Sequence, residues 1–420
     1  MLDTLREVFN HRRRVVVLLL FIPLAVSIYI HAPGIKLPVD NFGFKYTDII
    51  HGVFNNIYTK PERWFNSRLY SDFKNGLYKC PIPYIDYKFE YPPLIGVLWY
   101  LSTCTGFTVT SDLESASVVH YYFQSAIISV FYILLVITLY SLIAQYDRDW
   151  IRLVILLLPS WFIYTVYNWD VVAVSLALLG VLFANKKKSF LAGVFHGLSV
   201  SSKLLTLGIV YYYGVKYLLV EREKRLFRKY VFGFLITGLI PFITMYLLSP
   251  TGFTAFINHH LSWYCENCIY LPLIRDIWSD LHRRLYFAIA ATFAIAFPLL
   301  IPPWRSMKTE TEWKYLFAAI TTLVLFNHVF SPQMILLISP FAALALNPGV
   351  YLVYGLCDTA NALIILTFFQ YSKPQEFGSI PQYMATMRNL ILLILFFYVA
   401  GSIVKERVEN TSVGADHGVD

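Results

Sequence analysis

The chain alternates long apolar runs with short polar stretches, and this pattern predicts its architecture. A helical membrane span needs about 20 mostly apolar residues, and runs near that length recur along most of the chain. Phe190–Val220 is too long for one span and has serines and Lys203 at its middle, so we expect two short helices there. The predicted crossing runs are Val15–Ile30, Val118–Ala144, Leu153–Tyr167, Val171–Ala184, Phe190–Val220, Val231–Leu248, Leu285–Leu300, Tyr315–Val329, Ile335–Leu346, Val350–Phe369 and Leu390–Val404.

These runs predict an all-α polytopic membrane protein, a bundle of about twelve transmembrane helices. The composition agrees, since 57% of the 420 residues are hydrophobic and 14% are charged, whereas soluble domains are about 45–50% apolar and about 25% charged. No internal repeat is visible, so we expect one domain over residues 1–404. Residues 405–420 are polar and are predicted to form a disordered cytoplasmic tail.

The longest polar stretch is Phe44–Leu94, which follows the first apolar run. Loops longer than about 12–15 residues are usually functional or disordered. This one is rich in aromatic residues and poor in Ser, Gly and Gln, a composition that is atypical of disorder. We therefore expect an ordered loop that carries the function.

Basic residues in short loops predict the orientation. Under the positive-inside rule, Arg12–Arg14, Lys186–Lys188 and Glu221–Lys229 mark the cytoplasmic side. Both termini are then cytoplasmic and the long loop is outside. All basic loops agree only if Leu94–Gly106, about thirteen residues and short for a span, does not cross. We interpret it as a re-entrant or interfacial helix. The net charge of +8 therefore reflects orientation rather than nucleic-acid binding.

This topology places six polar segments on the same outer side, where they could form one site. They read YTDIIH, DYKFEYPP, YNWD, the serine–lysine segment, NHHLSWY and FSPQ.

The first of these segments holds the leading candidate base. Asp48 and His51 are three residues apart, so on a helix they share a face. A carboxylate held among aromatic rings at the membrane surface can act as a general base, although a helix N-cap or a solvated loop acid is the more ordinary role at this spacing. Asp86, Lys88 and Glu90 alternate with uncharged residues, so in an extended run their side chains share one side. They could bind a substrate there, or their charges could simply neutralise one another on a surface strand.

The later segments offer further polar groups. Asp170 opens an apolar run, where a helix N-terminus alone favours an acid. Lys203 would pair with a phosphate or a carboxylate, or extend to the lipid headgroups. His260 lies in a histidine pair that could bind phosphate or metal, or simply be interfacial. Asp358 and Asn361 lie inside a span, where a functional role and a bond to a neighbouring helix are both reasonable.

Five cysteines do not predict a disulfide framework. Cys265 and Cys268 form a lone CxxC in an outer loop, and a zinc site is not expected without further ligands at finger spacing. A local disulfide, a pairing with Cys80 and free thiols all stay open.

Nucleotide-binding motifs are absent from the sequence, and no predicted cytoplasmic loop is long enough for a nucleotide-binding fold. An enzyme of this topology would act at the outer face. We expect an activated substrate there to arrive on a lipid.

The order of the motifs resembles a known family. YTDI, FEYPPL, NWD, GVFHGLSVSSK, FINHHLSWY and FSPQ follow one another between about Tyr46 and Pro340. This arrangement resembles the multi-spanning glycosyltransferases of the C superfold that use polyprenyl-phosphate sugars. It is most similar to prokaryotic mannosyltransferases with the EYPPL motif, and more distantly to the catalytic subunit of GPI mannosyltransferase I.

The resemblance implies an inverting hexosyltransferase, most simply a mannosyltransferase, with Phe44–Leu94 as the catalytic outer loop and Asp48 as the catalytic residue. The GPI enzyme has an acidic pair at this position, but here the second place is Ile50, so a metal held by the pair is not expected and a need for a divalent cation stays open. The expected substrate-binding residues are His51, Asp86, Glu90, Tyr91, Asp170, Lys203, His260 and Gln333.

The expected partners are membrane lipids, a polyprenyl-phosphate sugar donor and a glycan or glycolipid acceptor, with no nucleic acid. The membrane would be the plasma membrane in a prokaryote and the endoplasmic reticulum in a eukaryote. The acceptor, the sugar and any partner subunit stay open. A transporter or flippase is the main alternative, although it should show inverted repeats, and a non-catalytic scaffold would leave the acidic outer motifs without a role.

Overall fold

In the computed structural model, the chain is described over residues 20–35, 43–110, 112–145, 150–300 and 309–416. Within these ranges it consists of helices and loops, and strand-like pairing is limited to isolated bridges. Arg12–Arg14 and the start of Val15–Ile30 lie outside the described residues. In the first half of the described chain, the α-helices are α1 Ile22–His31, α2 Asn55–Tyr58, α3 Ser67–Lys74, α4 Pro93–Val109, α5 Leu113–Ala144, α6 Pro159–Tyr164, α7 Asp170–Asn185, α8 Ser189–Val200 and α9 Leu207–Val215.

The second half of the chain is also helical. Its α-helices are α10 Lys224–Phe234, α11 Ile240–Leu248, α12 Pro250–Ser262, α13 Leu271–Ile274, α14 Leu281–Leu300, α15 Thr309–Leu325, α16 Ile335–Ala345, α17 Tyr351–Phe368 and α18 Ile380–Asp416. Wider π-helical turns occupy Asp48–Phe54, Lys216–Val220 and Leu235–Leu239, and tighter 3₁₀ turns occupy Pro61–Arg63, Trp150–Leu157, Leu204–Thr206, Pro332–Met334 and Pro348–Val350.

Within the described ranges, four helical stretches are long and apolar enough to cross a membrane, judged by length and composition. Shorter apolar helices accompany them. This architecture is compatible with a membrane bundle, and the count of about twelve spans stays a prediction. The four stretches are Leu113–Ala144, Lys224–Leu248, Pro348–Phe368 and Ile380–Glu406.

Two features of the predicted helices differ in the structure. The run Leu153–Tyr167 is broken, because Leu158 takes an extended backbone before Pro159 and separates a 3₁₀ turn from α6. The last helix continues to Asp416, so much of the segment predicted as a disordered tail is helical.

The expectation for Phe190–Val220 is confirmed. Helix α8 ends at Val200, the chain turns through Ser201–Lys203, and a 3₁₀ turn leads into α9. The turn places Lys203 between two helices rather than inside one. A charged side chain has a lower desolvation cost at such a break than in the middle of an apolar helix.

The segment predicted as an ordered outer loop packs as a small aromatic body against α4. Tyr58 contacts Trp99 and Phe107 of that helix, with ring centroids 6.4 and 4.8 Å away, and Tyr87 accepts a hydrogen bond from the Trp99 indole at 3.0 Å. Burying large rings in this way supplies most of the stabilisation that a loop without long helices can obtain.

A disulfide joins Cys80 of the loop to Cys104 of α4, with 4.6 Å between their Cα atoms. Cys104 lies about 16 Å along the helix from Pro93, given a rise of 1.5 Å per residue. The loop therefore accompanies α4 over much of its length. This pairing was not predicted from the sequence, where Cys80 was a candidate partner only for the CxxC cysteines.

Candidate functional site

Asp48 begins the π-helical turn that opens the aromatic loop. Thr47 caps this turn, since its hydroxyl accepts a hydrogen bond from the Ile50 amide at 3.1 Å. The Asp48 amide donates to the Tyr167 carbonyl at 3.1 Å, just before the NWD motif. The backbone is thus fixed at both ends of the carboxylate-bearing residue, and the half-buried side chain is aimed by the fold.

Two side chains from distant segments meet the Asp48 carboxylate. The Tyr91 hydroxyl donates to Oδ2 at 3.2 Å, and the Gln333 amide donates to the same oxygen at 3.3 Å. FEYPPL and FSPQ therefore converge on YTDI. Both bonds are long, which leaves the carboxylate able to exchange them for a substrate hydroxyl.

Gly52 lies directly against this carboxylate. A Cβ atom at this position would come within 2.9 Å of Asp48 Oδ1 and 3.1 Å of the Tyr46 hydroxyl. Any other residue would displace the carboxylate or the tyrosine. The sequence analysis missed Gly52, although it lies four residues after Asp48, the spacing of neighbours on a helix face.

Tyr91 is itself held on several sides. The Tyr84 hydroxyl donates to its carbonyl at 2.5 Å, and its ring packs edge-on against Trp169 with centroids 4.6 Å apart. Three residues later the Leu94 amide donates to the Ser201 carbonyl at 2.9 Å. Pro92 and Pro93 thus turn the chain from the site into α4. The hydrogen bond to Ser201 holds the start of α4 against the Ser201–Lys203 turn.

Asp170 and Lys203 form an ion pair beside these residues, with Nζ and Oδ1 2.9 Å apart. The Asp170 side chain is 1% exposed and that of Lys203 is 14% exposed. Of the partners considered for Lys203, a carboxylate is the one observed. Because the ammonium is still partly open, it can also attract a second anion.

The electrostatic surroundings of Asp48 raise its affinity for a proton. Burial, followed by the charges of Glu266 and Glu90, raises the pKa of Asp48 to about 7, while Lys203 and the Tyr91 hydrogen bond lower it. A carboxylate that titrates near neutral pH is matched to proton transfer from a hydroxyl.

Glu266 is the strongest of these charges, and the sequence analysis missed it. Its amide donates to the His328 carbonyl at 3.0 Å, and its carbonyl accepts from the Phe330 amide at 2.8 Å, which pairs its loop with the FSPQ segment. The Trp263 indole donates to its carboxylate at 2.8 Å. The sequence signal for Glu266 was its position between two polar segments of the predicted outer side, HHLSWY and FSPQ. The cysteines on either side of it were interpreted only for disulfide or metal chemistry.

Those cysteines form a disulfide, Cys265–Cys268. His282 lies near them, with Nδ1 3.6 Å from the Cys268 sulfur, and the three groups fall within 4.8 Å of one another. A disulfide leaves no thiolate to bind a metal, so this arrangement supports a local staple for the Glu266 loop. Of the alternatives left open for these two residues, the local disulfide is the one observed, and Cys80 pairs with Cys104 instead.

A buried arginine ties the same loops together. Arg388 of α18 donates to the Asn267 and Phe330 carbonyls, both at 3.0 Å, and to Asn361 Oδ1 at 2.9 Å. Asn361 in turn donates to the Pro332 carbonyl at 2.8 Å. The network fixes the backbone directly after Glu266 and directly before Gln333. It was missed because Arg388 stands just before a long apolar run and looks like an interfacial anchor.

Other predicted site residues have local partners. Asp86 lies in a turn rather than in an extended run, and its carboxylate accepts from the Tyr78 hydroxyl and the Ile82 amide, both at 2.6 Å. The predicted common side with Lys88 and Glu90 is therefore wrong. His51 accepts from the Thr47 amide at 3.2 Å, so it helps to close the π-helical turn.

Glu90 and His260 lie at the edge of the cluster. Arg63 donates to the Glu90 carboxylate at 2.9 Å, and His259 Nδ1 lies 3.9 Å from it. The His260 ring packs edge-on against Phe256, with centroids 4.7 Å apart. The histidine segment thus reaches the site through both residues, since the charge of Lys203 and a hydrogen bond to the Glu90 backbone act on the His260 ring.

No protein-family model matches the chain, and a comparison with curated proteins finds no match.

Proposed function

We propose that the protein is an inverting glycosyltransferase that transfers a hexose, most simply mannose, from a polyprenyl-phosphate donor to a lipid-linked or glycan acceptor at the outer face of a membrane. The observation that carries this proposal is the half-buried Asp48 carboxylate, with its pKa near 7, at the meeting point of three separate polar segments. The motif order of the C-superfold enzymes supports it.

In the proposed reaction, Asp48 removes the proton from an acceptor hydroxyl. The acceptor oxygen forms a bond to the anomeric carbon, and the bond from that carbon to the lipid phosphate breaks with its electron pair on the phosphate oxygen. Attack from the face opposite the phosphate inverts the configuration. The hydroxyl would replace the long hydrogen bonds that Asp48 receives from Tyr91 and Gln333.

Lys203 is the group best placed to stabilise the departing charge. Its ammonium is paired with Asp170 but is partly open, and its charge acts on Asp48. A cation close to the developing negative charge lowers the barrier most where water is excluded. Asp170 is then a positioning residue that holds the ammonium in place.

The proposed topology has about twelve spans, cytoplasmic termini and a non-crossing α4. The Cys80–Cys104 disulfide supports the last point, because both cysteines must reach the same oxidising compartment to pair. Tyr58 and Phe73 also cover one side of this helix. Modification of an engineered cysteine at Val109 from the cytoplasmic side alone would contradict it.

Product analysis tests the reaction directly. Membranes containing the protein are incubated with radiolabelled polyprenyl-phosphate mannose and total membrane lipid, and we expect a new labelled glycan or glycolipid that membranes without the protein do not form. Absence of any transferred label in membranes with verified donor and intact protein would overturn the proposal.

Transport is the competing function, and no repeat supports it. Purified protein that moved a lipid-linked sugar across sealed vesicles without forming a new glycosidic bond would favour it.

A further inference from the structure

A cleft of about 740 Å³ opens between the aromatic loop and helix α12. One wall carries Arg63 and Glu90 of the loop, and the other is a face of α12. Ligand sites for small molecules commonly have volumes of about 300–1,000 Å³. The cleft reaches Glu90, the residue before Tyr91, so it ends close to the Asp48 cluster without being part of it.

The two walls are joined by a close backbone contact. The Ser249 hydroxyl donates to the Tyr84 carbonyl at 2.7 Å and accepts from the Gly252 amide at 3.1 Å. A Cβ atom at Gly252 would lie 1.9 Å from the Tyr84 carbonyl oxygen, so only glycine permits this approach. This contact thus fixes the start of α12 against the loop that carries the opposite wall.

The α12 wall presents a row of uncommitted polar groups. Thr251, Thr254, Asn258 and Ser262 line the cleft at intervals of three or four residues, the spacing of one helix face. All four are exposed, and none makes a side-chain hydrogen bond within the described chain. Three hydroxyls and one amide in a row offer alternating donors and acceptors, which suits a ligand with many hydroxyl groups.

The opposite wall supplies charge-assisted partners. The Arg63–Glu90 pair is 24% and 20% exposed, and Arg63 Nε is buried without a hydrogen-bond partner. His259 Nδ1 stands 3.9 Å from the Glu90 carboxylate. Such groups form stronger hydrogen bonds to hydroxyls than neutral ones do. The Arg63–Glu90 wall therefore adds charged hydrogen-bonding groups to the neutral hydroxyl and amide groups that α12 presents across the cleft.

We propose that this cleft binds the carbohydrate part of the acceptor, with more than one sugar ring lying between α12 and the Arg63–Glu90 pair. That the bound carbohydrate is the acceptor rests on the proposed glycosyl transfer, whereas carbohydrate binding in the cleft does not depend on it. The ring that receives the new sugar would lie at the Glu90 end. The row on α12 would hold the rings behind it.

Binding is tested on the purified full-length protein in lipid nanodiscs, with linear α-mannotriose as the probe. We expect saturation-transfer NMR to detect binding at millimolar concentration. The double variant Thr254→Val, Asn258→Ala should weaken it at least about fivefold, since it removes two partners. Leu261→Ala is the matched control, because Leu261 is exposed on the same helix but does not line the cleft. Equal binding by the double variant, or no binding by the unchanged protein, would overturn the inference.

A second measurement avoids dependence on the double variant. A cysteine introduced by Asn258→Cys should react with a maleimide, against little background, since the native cysteines are paired except for the buried Cys357. Mannotriose should slow the reaction at least about twofold. An unchanged rate at saturating mannotriose would contradict the proposal. Mannotriose binding together with no transfer of labelled sugar would reject the proposed enzyme while leaving the cleft as a carbohydrate site.

Discussion

Two aspartates of this protein have contrasting surroundings. Asp48 is half-buried, accepts two long hydrogen bonds from side chains, and lies beside the charges of Glu266 and Lys203. Asp358 of α17 is 0% exposed and accepts one shorter bond, 2.9 Å, from the backbone amide of Ser160.

The difference separates a carboxylate that is free to change partners from one that completes a fold. Side-chain donors at about 3.2 Å can give way to a substrate, whereas the Ser160 amide opens helix α6 and has no helical partner of its own. For Asp358, the bond to a neighbouring helix is thus the alternative that the structure supports. Burial alone does not mark a catalytic acid, and access and exchangeable partners matter more.

The same substitution at both positions gives the largest expected contrast. Asp48→Asn keeps an oxygen for Tyr91 and Gln333 but cannot take a proton, so transfer should fall by about 10²- to 10⁴-fold. Asp358→Asn keeps an acceptor for the Ser160 amide, and the purified variant should retain most of its transfer rate. Label transfer per mole of folded protein is the measurement.

Either of two results would break the comparison. Full activity in Asp48→Asn would remove its role as the base. Comparable losses in both variants, with comparable loss of folded protein by size-exclusion chromatography, would show that both aspartates are structural.

Much of the arrangement could be predicted from the sequence because charge and hydropathy act locally along the chain. The broken segment at Ser201–Lys203 and the convergence of FSPQ with YTDI follow from that pattern. The contributions of Glu266 and Arg388 do not, since they depend on which loops pair in space. For Asp86 the local pattern gave a wrong prediction. A turn at Tyr84, with φ of 65°, takes Asp86 out of the expected extended run.

Gly52 offers the next test, because it shapes the space around Asp48 without taking part in the reaction. Gly52→Ala places a methyl group against the carboxylate and the Tyr46 hydroxyl. A displacement of about 1 Å can cost about 100-fold in rate, so we expect a fall of tens of fold in kcat. Gly214→Ala is the control, since nothing lies within 4 Å of its added Cβ and it is helical. Equal activity of the two variants would mean that the Asp48 carboxylate is not held where the structure places it.

Arg388 separates support of the site from the chemistry itself. Arg388→Met leaves the Asn267 and Phe330 carbonyls without their charged donor, and hydrogen bonds to charged groups contribute about 1.5–3 kcal/mol each. We expect a clear fall in melting temperature and a several-fold loss of activity at low temperature. Lys314→Met is the control, since that lysine pairs with Glu406 near the other end of α18. It tests whether the loss of any ion-paired cation lowers the melting temperature and the activity as much. Unchanged melting of Arg388→Met would contradict the proposed support.

The smallest and most specific effect concerns the pH dependence of kcat/KM. Asp48 must be ionised to act as a base, so activity should rise with pH through about pH 7, where its carboxyl titrates. Glu266→Gln removes a negative neighbour, which lowers the pKa of Asp48 and moves the rising limb to lower pH. Lys203→Met removes a positive neighbour and should move the limb to higher pH while also lowering the rate. The exposed Glu114, in the first turn of α5, supplies a charge-matched control, Glu114→Gln, whose limb should stay in place. Limbs that move in the same direction in the Glu266 and Lys203 variants would show that the titrating group is not Asp48.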